Sequence, residues 1–113
     1  MKSLTENDIS DYRINGYLIK RSVFDKKEIS NIAKWIDEYQ NRKADDWLEK
    51  ENAYYETSLM YKNTRILSRI EKFLDYHEGF RNLTSSRKLL DPLEDLVGEE
   101  CIIFKEKINL KQP

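Results

Sequence analysis

Apolar and polar positions alternate along this chain first with helical and later with strand spacing. Thr5 is placed as a helix N-cap, with Asp8 three residues on in a capping-box position and Leu4 able to staple against Ile9. Ile9, Tyr12 and Ile14 give this first helix its packing side, and Asn15-Gly16 ends it, Gly16 being free to take positive φ. Tyr17 to Phe24 then alternates, with Tyr17, Ile19, Arg21 and Val23 on one face and Leu18, Lys20 and Ser22 on the other, which predicts a strand. Asp25 and Glu28 form a second capping box, with Phe24 set to staple to Ile29. Ile29, Ile32, Ala33, Ile36 and Tyr39 hold the helical period, flanked by Trp35, and give the clearest helix signal in the chain. Asn41 to Lys50 is polar and predicts a loop in which Trp47 and Leu48 dock. Ala53 to Leu59 reads as a short strand, whose aromatics line a site or cover a core edge. Ile66 to Phe73 fits strand or helix alike, and Glu78 to Leu83 reads as a helical turn or two. Ser86 begins a further helix. Pro92 lacks an amide donor and clashes with a preceding turn, so Asp91-Pro92-Leu93-Glu94 reads as a new helix start capped by Asp91. Leu89, Leu90, Leu93, Leu96 and Val97 form one apolar stripe, and Gly98 ends it.

The last stretch, Cys101 to Leu110, has strand alternation. Its even positions, Ile102, Phe104, Glu106, Ile108 and Leu110, are apolar apart from the glutamate, and are expected to pack against Leu89, Leu93 and Leu96. Its odd positions run from Cys101 and Ile103 into Lys105, Lys107, Asn109 and Lys111. Neighbours on one face of a strand lie about 6.6 Å apart, which suits a groove for a small dianion. The plainer reading of the same face is an ordinary strand with solvated lysines.

Composition narrows the function classes. The chain has 113 residues, enough for one small domain with a modest core, and a net charge of −1. A nucleic-acid binder carries a basic excess, so that partner is not expected. No apolar run approaches the ~20 residues of a membrane span, and the N-terminus lacks an apolar signal region, so no membrane partner is expected either. One cysteine, Cys101, permits no internal disulfide and predicts a reducing, cytoplasmic setting.

Several chemistries lack their residues. His77 is the single histidine, so a triad would need it between Cys101 and an acid, and Cys101 opens a strand rather than lying in a basic site. His77 is therefore read as structural. One His and one Cys do not make a zinc site, and a facial triad needs two histidines and a carboxylate. The glycines, Gly16, Gly79 and Gly98, are too dispersed for a phosphate loop. Asp45-Asp46 and Glu99-Glu100 lie in polar connections and read as solvated.

Three blocks together resemble the N-terminal part of the phytanoyl-CoA dioxygenase family. They are Gly16-Tyr17-Leu18-Ile19 with Phe24-Asp25-Lys26-Lys27-Glu28-Ile29, then Ser68-Arg69-Ile70-Glu71-Lys72-Phe73-Leu74-Asp75-Tyr76-His77, and last Leu96-Val97-Gly98 running through Phe104-Lys105-Glu106-Lys107-Ile108-Asn109-Leu110-Lys111-Gln112-Pro113. The resemblance implies an α+β segment, in which N-terminal helices back the first strands of a double-stranded β-helix (jelly roll), incomplete over residues 1–113. It implies iron(II) and 2-oxoglutarate as cofactors, a small-molecule substrate, and a closing strand that lines the cosubstrate pocket. By that likeness Lys105 and Asn109, and Lys111 as in some members, contribute to the pocket, with Lys107 on the same face. The family's His-x-Asp iron motif is expected beyond Pro113, with its distal histidine and 2-oxoglutarate-binding arginine later still. The chain is thus expected to be the front of a longer enzyme, inactive by itself, binding neither cofactor tightly and self-associating through its exposed last strand. The alternative is a non-catalytic α+β module that kept this part of the fold and binds a partner or a small anion.

Overall fold

The computed structural model describes residues 3–112, and helix α2 (Lys26–Asn41) organises them. The Asp25 carboxylate accepts the Glu28 amide proton at 2.8 Å and the Asp25 amide donates to Glu28 at 2.9 Å, so both ends of the predicted capping box are made. Helix α1 (Glu6–Asn15) starts in the same way on Thr5 and Asp8, and Gly16 closes it at φ 79°. α1 buries none of its own residues, against expectation: Tyr12 and Ile14 are exposed, and the anchor is Leu4 just before it, whose amide donates to Asp95.

A three-stranded antiparallel sheet follows, in the order β1 (Asn52–Thr57), β2 (Arg65–Glu71), β3 (Lys107–Asn109). The 66–73 stretch thus resolves as a strand. Its pattern fits strand and helix alike because the β1–β2 register slips between Tyr54 and Tyr55, leaving Ser68 as an extra residue on β2. The Ser68 hydroxyl donates to the Tyr54 carbonyl at 3.0 Å, and its own carbonyl accepts the Leu110 amide at 2.8 Å. The bulge puts Leu67 and Ile70, three apart, on one buried face. After β2 come a 3₁₀ turn (Leu74–Tyr76), helix α3 (Glu78–Thr84) and helix α4 (Arg87–Val97).

The core lies between α2, α3 and one face of the sheet. It comprises Tyr39, Leu67, Ile70, Phe73, Leu74 and Phe80, with Ile32, Trp35, Ile36, Trp47, Tyr55, Ile108 and Leu110 packed around it. Tyr39 (2% exposed) stacks on Trp47 at 5.3 Å and on Phe80 at 6.2 Å, and meets Phe73 edge-on at 6.2 Å. Trp47 docks as predicted and donates its indole N–H to the Tyr55 hydroxyl at 2.7 Å, whereas Leu48 stays exposed. Glu51, the buried charge here, is paired with Arg42 at 3.0 Å, and that guanidinium lies over the Trp47 ring at 4.6 Å.

Four sequence expectations are corrected. First, Tyr17 to Phe24 is extended chain with no ladder partner, broken by Ser22 at φ 58°. Second, α4 runs straight through Pro92 instead of restarting there. Asp91 does not cap, because Arg87 draws its carboxylate one turn back and also grips Glu94, so the clamp spans the proline. Third, the closing strand pairs only over Lys107–Asn109, and residues 101–106 form no strand. Fourth, the even face does not meet the leucine stripe. Ile108 and Leu110 join the Tyr39 core, while Ile102 (87%) and Phe104 (94%) are exposed. Leu89, Leu93 and Leu96 instead line one depression with Leu4, Leu18, Phe24 and Ile29.

The result is elongated, 52 × 28 × 26 Å with a radius of gyration of 17.3 Å. A compact domain of about 100 residues would have a radius of gyration near ~13 Å. Two expected outcomes follow from the packing. An added Cβ on Gly79 would lie 2.4 Å from the Trp35 ring, which Phe80 and His77 hold in place. Gly79→Ala should therefore lower stability by about 1–3 kcal/mol in urea titration, despite a helix-propensity gain of about 1; a stabilised variant would contradict this packing. Phe104→Ala should change the stability of this chain by less than about 0.5 kcal/mol, because the ring is already in water; a loss of several kcal/mol would show that the ring is buried.

Candidate functional site

The sheet has two unlike faces. Ladder partners point to the same side, so Ala53, Ile70 and Ile108 form one row facing α2. The next row, Tyr54, Arg69 and Asn109, faces away, as do Asn52, Glu71 and Lys107. No helix covers this second face. Tyr54, Glu56, Lys107, Asn109 and Lys111 are exposed, and Arg69 and Glu71 are half-buried between them.

The predicted site residues fall as follows. Asn109 stands opposite Arg69, and Lys107 opposite Glu71. Asn109 and Lys111 line a shallow depression of about 300 Å³ with Tyr54, Glu56, Ser68 and Arg69. Lys105 lies in the unpaired stretch before β3 and lines a second depression with Glu71 and Lys107. A larger cavity, about 910 Å³, lies elsewhere, between the 100–104 segment and α3. It is a wide cleft without Lys105, Lys107, Asn109 or Lys111, and its lining mixes charged side chains, Lys72, Arg81 and Arg87 among them, with the exposed Ile102 and Phe104.

Sequence reasoning missed two members of this face. The Arg69 guanidinium lies 4.2 Å over the Tyr54 ring, and its Nε is 3.6 Å from Glu71. Arg69 was hidden because the bulge at Ser68 breaks the alternation that would have assigned it a face. Gln112 fixes the chain beyond β3, donating to Glu56 at 2.9 Å and to the Thr57 carbonyl at 3.2 Å, and accepting the Leu59 amide at 2.7 Å.

His77 belongs to the core. Its Nδ1 accepts the Phe80 amide proton at 3.0 Å, capping α3, and its ring lies 4.7 Å from Phe80, 5.1 Å from Trp35 and 5.5 Å from Tyr39. Burial among these rings holds its pKa below the usual histidine value. The same burial, reinforced by Glu51, pushes the Tyr39 phenol up to about 12. Among the described residues no three His, Cys, Asp or Glu side chains are grouped to hold a metal ion. With its histidine committed to α3, this stretch does not fit an iron centre by itself. The open face does fit an anion, through lysine ammonium groups and an amide that both donates and accepts.

Comparison with known proteins finds three relatives of this chain. The chain is 30% identical over 115 residues to a 2-aminoethylphosphonate dioxygenase from an uncultured bacterium (HF130_AEPn_1), across 100% of this chain and 42% of that protein. It is 31% identical over 111 residues to a methylphosphonate hydroxylase of Gimesia maris, across 98% of this chain and 41% of the relative. It is 28% identical over 114 residues to the dioxygenase lolE1 of Epichloe uncinata, across 97% and 42%. No family model matches the chain. The chain thus spans about two fifths of the length of the curated relatives it matches, and those relatives are dioxygenases and hydroxylases. No helix among the described residues is long and apolar enough to cross a membrane.

The depressed His77 pKa has a sign that can be measured. The unfolded chain takes up the proton near pH 6.5, before the folded one does. Stability should therefore be complete above about pH 6.5 and fall as pH drops through the window between that value and the lower folded pKa. Urea titrations at pH 7.5 and 5.5 should show the loss, and His77→Asn should flatten it. A wild-type stability equal at both pH values would contradict the buried, neutral ring.

Proposed function

We propose that this chain is the N-terminal portion of an iron(II)- and 2-oxoglutarate-dependent dioxygenase of the phytanoyl-CoA dioxygenase type. Its sheet supplies the first strands of a jelly roll whose iron ligands come from the remaining three fifths or so of the relatives' length. The observation that carries this reading is the match along nearly the whole chain to three relatives named for oxygenase chemistry. The sheet geometry agrees with it. One face is closed by α2, and the other carries Lys107 and Asn109 on the ladder, with Lys111 just beyond and Lys105 in the unpaired stretch before it; on this reading a completed jelly roll encloses that side. There Lys105, Asn109 and Lys111 hold the cosubstrate carboxylates and Lys107 adds charge. Bound iron and 2-oxoglutarate supply the oxidising chemistry; these side chains orient and neutralise the dicarboxylate.

Two of the relatives are named for small phosphonates, so a small phosphonate is the first substrate class to test. A cytoplasmic setting fits the lone Cys101. Standing alone, the chain should self-associate through the free edge of β3, which offers unpaired backbone groups.

In a protein carrying this chain and the rest of the relatives' length, Asn109→Ala or Lys105→Ala should weaken 2-oxoglutarate binding. A charge-assisted bond in a dry pocket is worth roughly 1.5–3 kcal/mol, which converts to about one to two orders of magnitude. The chain of 113 residues alone should form no succinate from 2-oxoglutarate on addition of iron(II). Unchanged affinity in both variants would overturn the site, and iron-dependent turnover by the chain alone would overturn the division of labour. Binding of a partner protein by a longer chain that has no turnover would favour the non-catalytic module.

A further inference from the structure

We propose that Arg69 is the anion clamp of the open sheet face, taking the doubly charged phosphonate- or phosphate-like end of a small substrate. The inference rests on the open face being the site face.

β2 is the central strand, so Arg69 stands in the middle of the face, with Tyr54 on one side and Asn109 on the other. Its guanidinium is oriented before any ligand arrives, lying 4.2 Å over the Tyr54 ring. The cation–π contact holds the fork over the ring, and an arginine fork can meet phosphate-like oxygens along its edge. That edge is poorly satisfied. Nε is buried and makes no hydrogen bond, and its nearest carboxylate oxygen, on Glu71, is 3.6 Å away, beyond hydrogen-bond range. The side chain as a whole is 42% exposed, so an incoming acceptor can approach the guanidinium from the open side of the sheet.

Glu71 acts as a displaceable stand-in for that acceptor. Its contacts on this face are long, 3.6 Å to Arg69 and 3.5 Å to the Tyr54 hydroxyl. Lys107 lies directly across the strand pair, so a displaced Glu71 has a second cation beside it. The charge count leaves room for an anion. Arg69, Lys107 and Lys111 share the face with Glu56 and Glu71, an excess of one positive charge, and Glu56 already accepts a hydrogen bond from Gln112. A monoanion would have to compete with Glu71 on equal terms. A dianion brings twice the charge and three oxygens to a fork that can take two of them in parallel.

The test is an NMR titration of the wild-type chain, in which weak binding suffices. Methylphosphonate is added at a pH where it is doubly ionised, and the arginine Nε–H signals are followed. The Arg69 signal should shift and saturate. Arg69→Lys should weaken binding at least tenfold and Arg69→Gln should abolish it. Glu71→Gln should tighten binding severalfold, a gain that no folding defect produces. An unmoved Arg69 signal, or an affinity unchanged by Glu71→Gln, would overturn the clamp. 2-Oxoglutarate, added separately, distinguishes two failures. If it shifts the Lys107 and Asn109 amides while methylphosphonate leaves Arg69 unmoved, the clamp falls and the site face stands. If neither ligand moves any signal on the open face, both fall together.

Discussion

The packing of the Tyr39 ring is the constraint on which the rest of this structure depends. One phenol joins helix α2 to the loop through Trp47, to the end of β2 through Phe73, and to α3 through Phe80 and His77. Aromatic contacts of this kind are each worth about 0.5–1.5 kcal/mol beyond the area they bury. The hydroxyl makes no hydrogen bond among the described residues, so the ring is held by shape and contact. The Arg42–Glu51 pair then closes the edge of this cluster by laying a guanidinium over Trp47. With α2 fixed on one face of the sheet, the other face is committed to whatever else the sheet meets.

That asymmetry links packing to function. A sheet buried on one side alternates apolar-in and polar-out, and here the polar side is ordered as well as wet. Arg69 lies on Tyr54, Gln112 reaches back to Glu56, and the β3 residues are set opposite Arg69 and Glu71 by the ladder. Side chains fixed in this way are already positioned for a ligand, which lowers the ordering cost of binding. The elongated outline and the exposed Ile102 and Phe104 describe the same molecule from its other side. Helices α2 and α3 pack into the core, while residues 101–106 leading into β3 form no strand.

The sequence carried the local signals faithfully and the long-range ones in part. Both capping boxes and the α2 helix depend on residues within four positions of one another and appear as read, though of its stripe Ile29 and Ala33 stay exposed while Ile32, Ile36 and Tyr39 pack. Trp47 was legible because a large aromatic in a polar run must dock somewhere. The strand expected at 17–24 failed because alternation cannot show whether a partner exists, and Ser22 takes a left-handed turn there. Pro92 misled because the rule that proline opens a helix ignores the Arg87 clamp across it. On the open face, alternation put Lys107 and Asn109 on one side, as the ladder does. Arg69 escaped because a single bulged residue shifted the period of its strand.

The most direct test of the central claim asks which face of the sheet a bound metal sees. In a protein carrying this chain and the rest of the relatives' length, manganese(II) can replace iron at an oxygen- and nitrogen-donor site and broaden nearby NMR signals. The account predicts that signals of Tyr54, Arg69 and Asn109 broaden strongly, while those of Leu67, Ile70 and Ile108, behind the sheet, broaden much less. Stronger broadening on the Leu67–Ile70 side, or equal broadening on both, would contradict it.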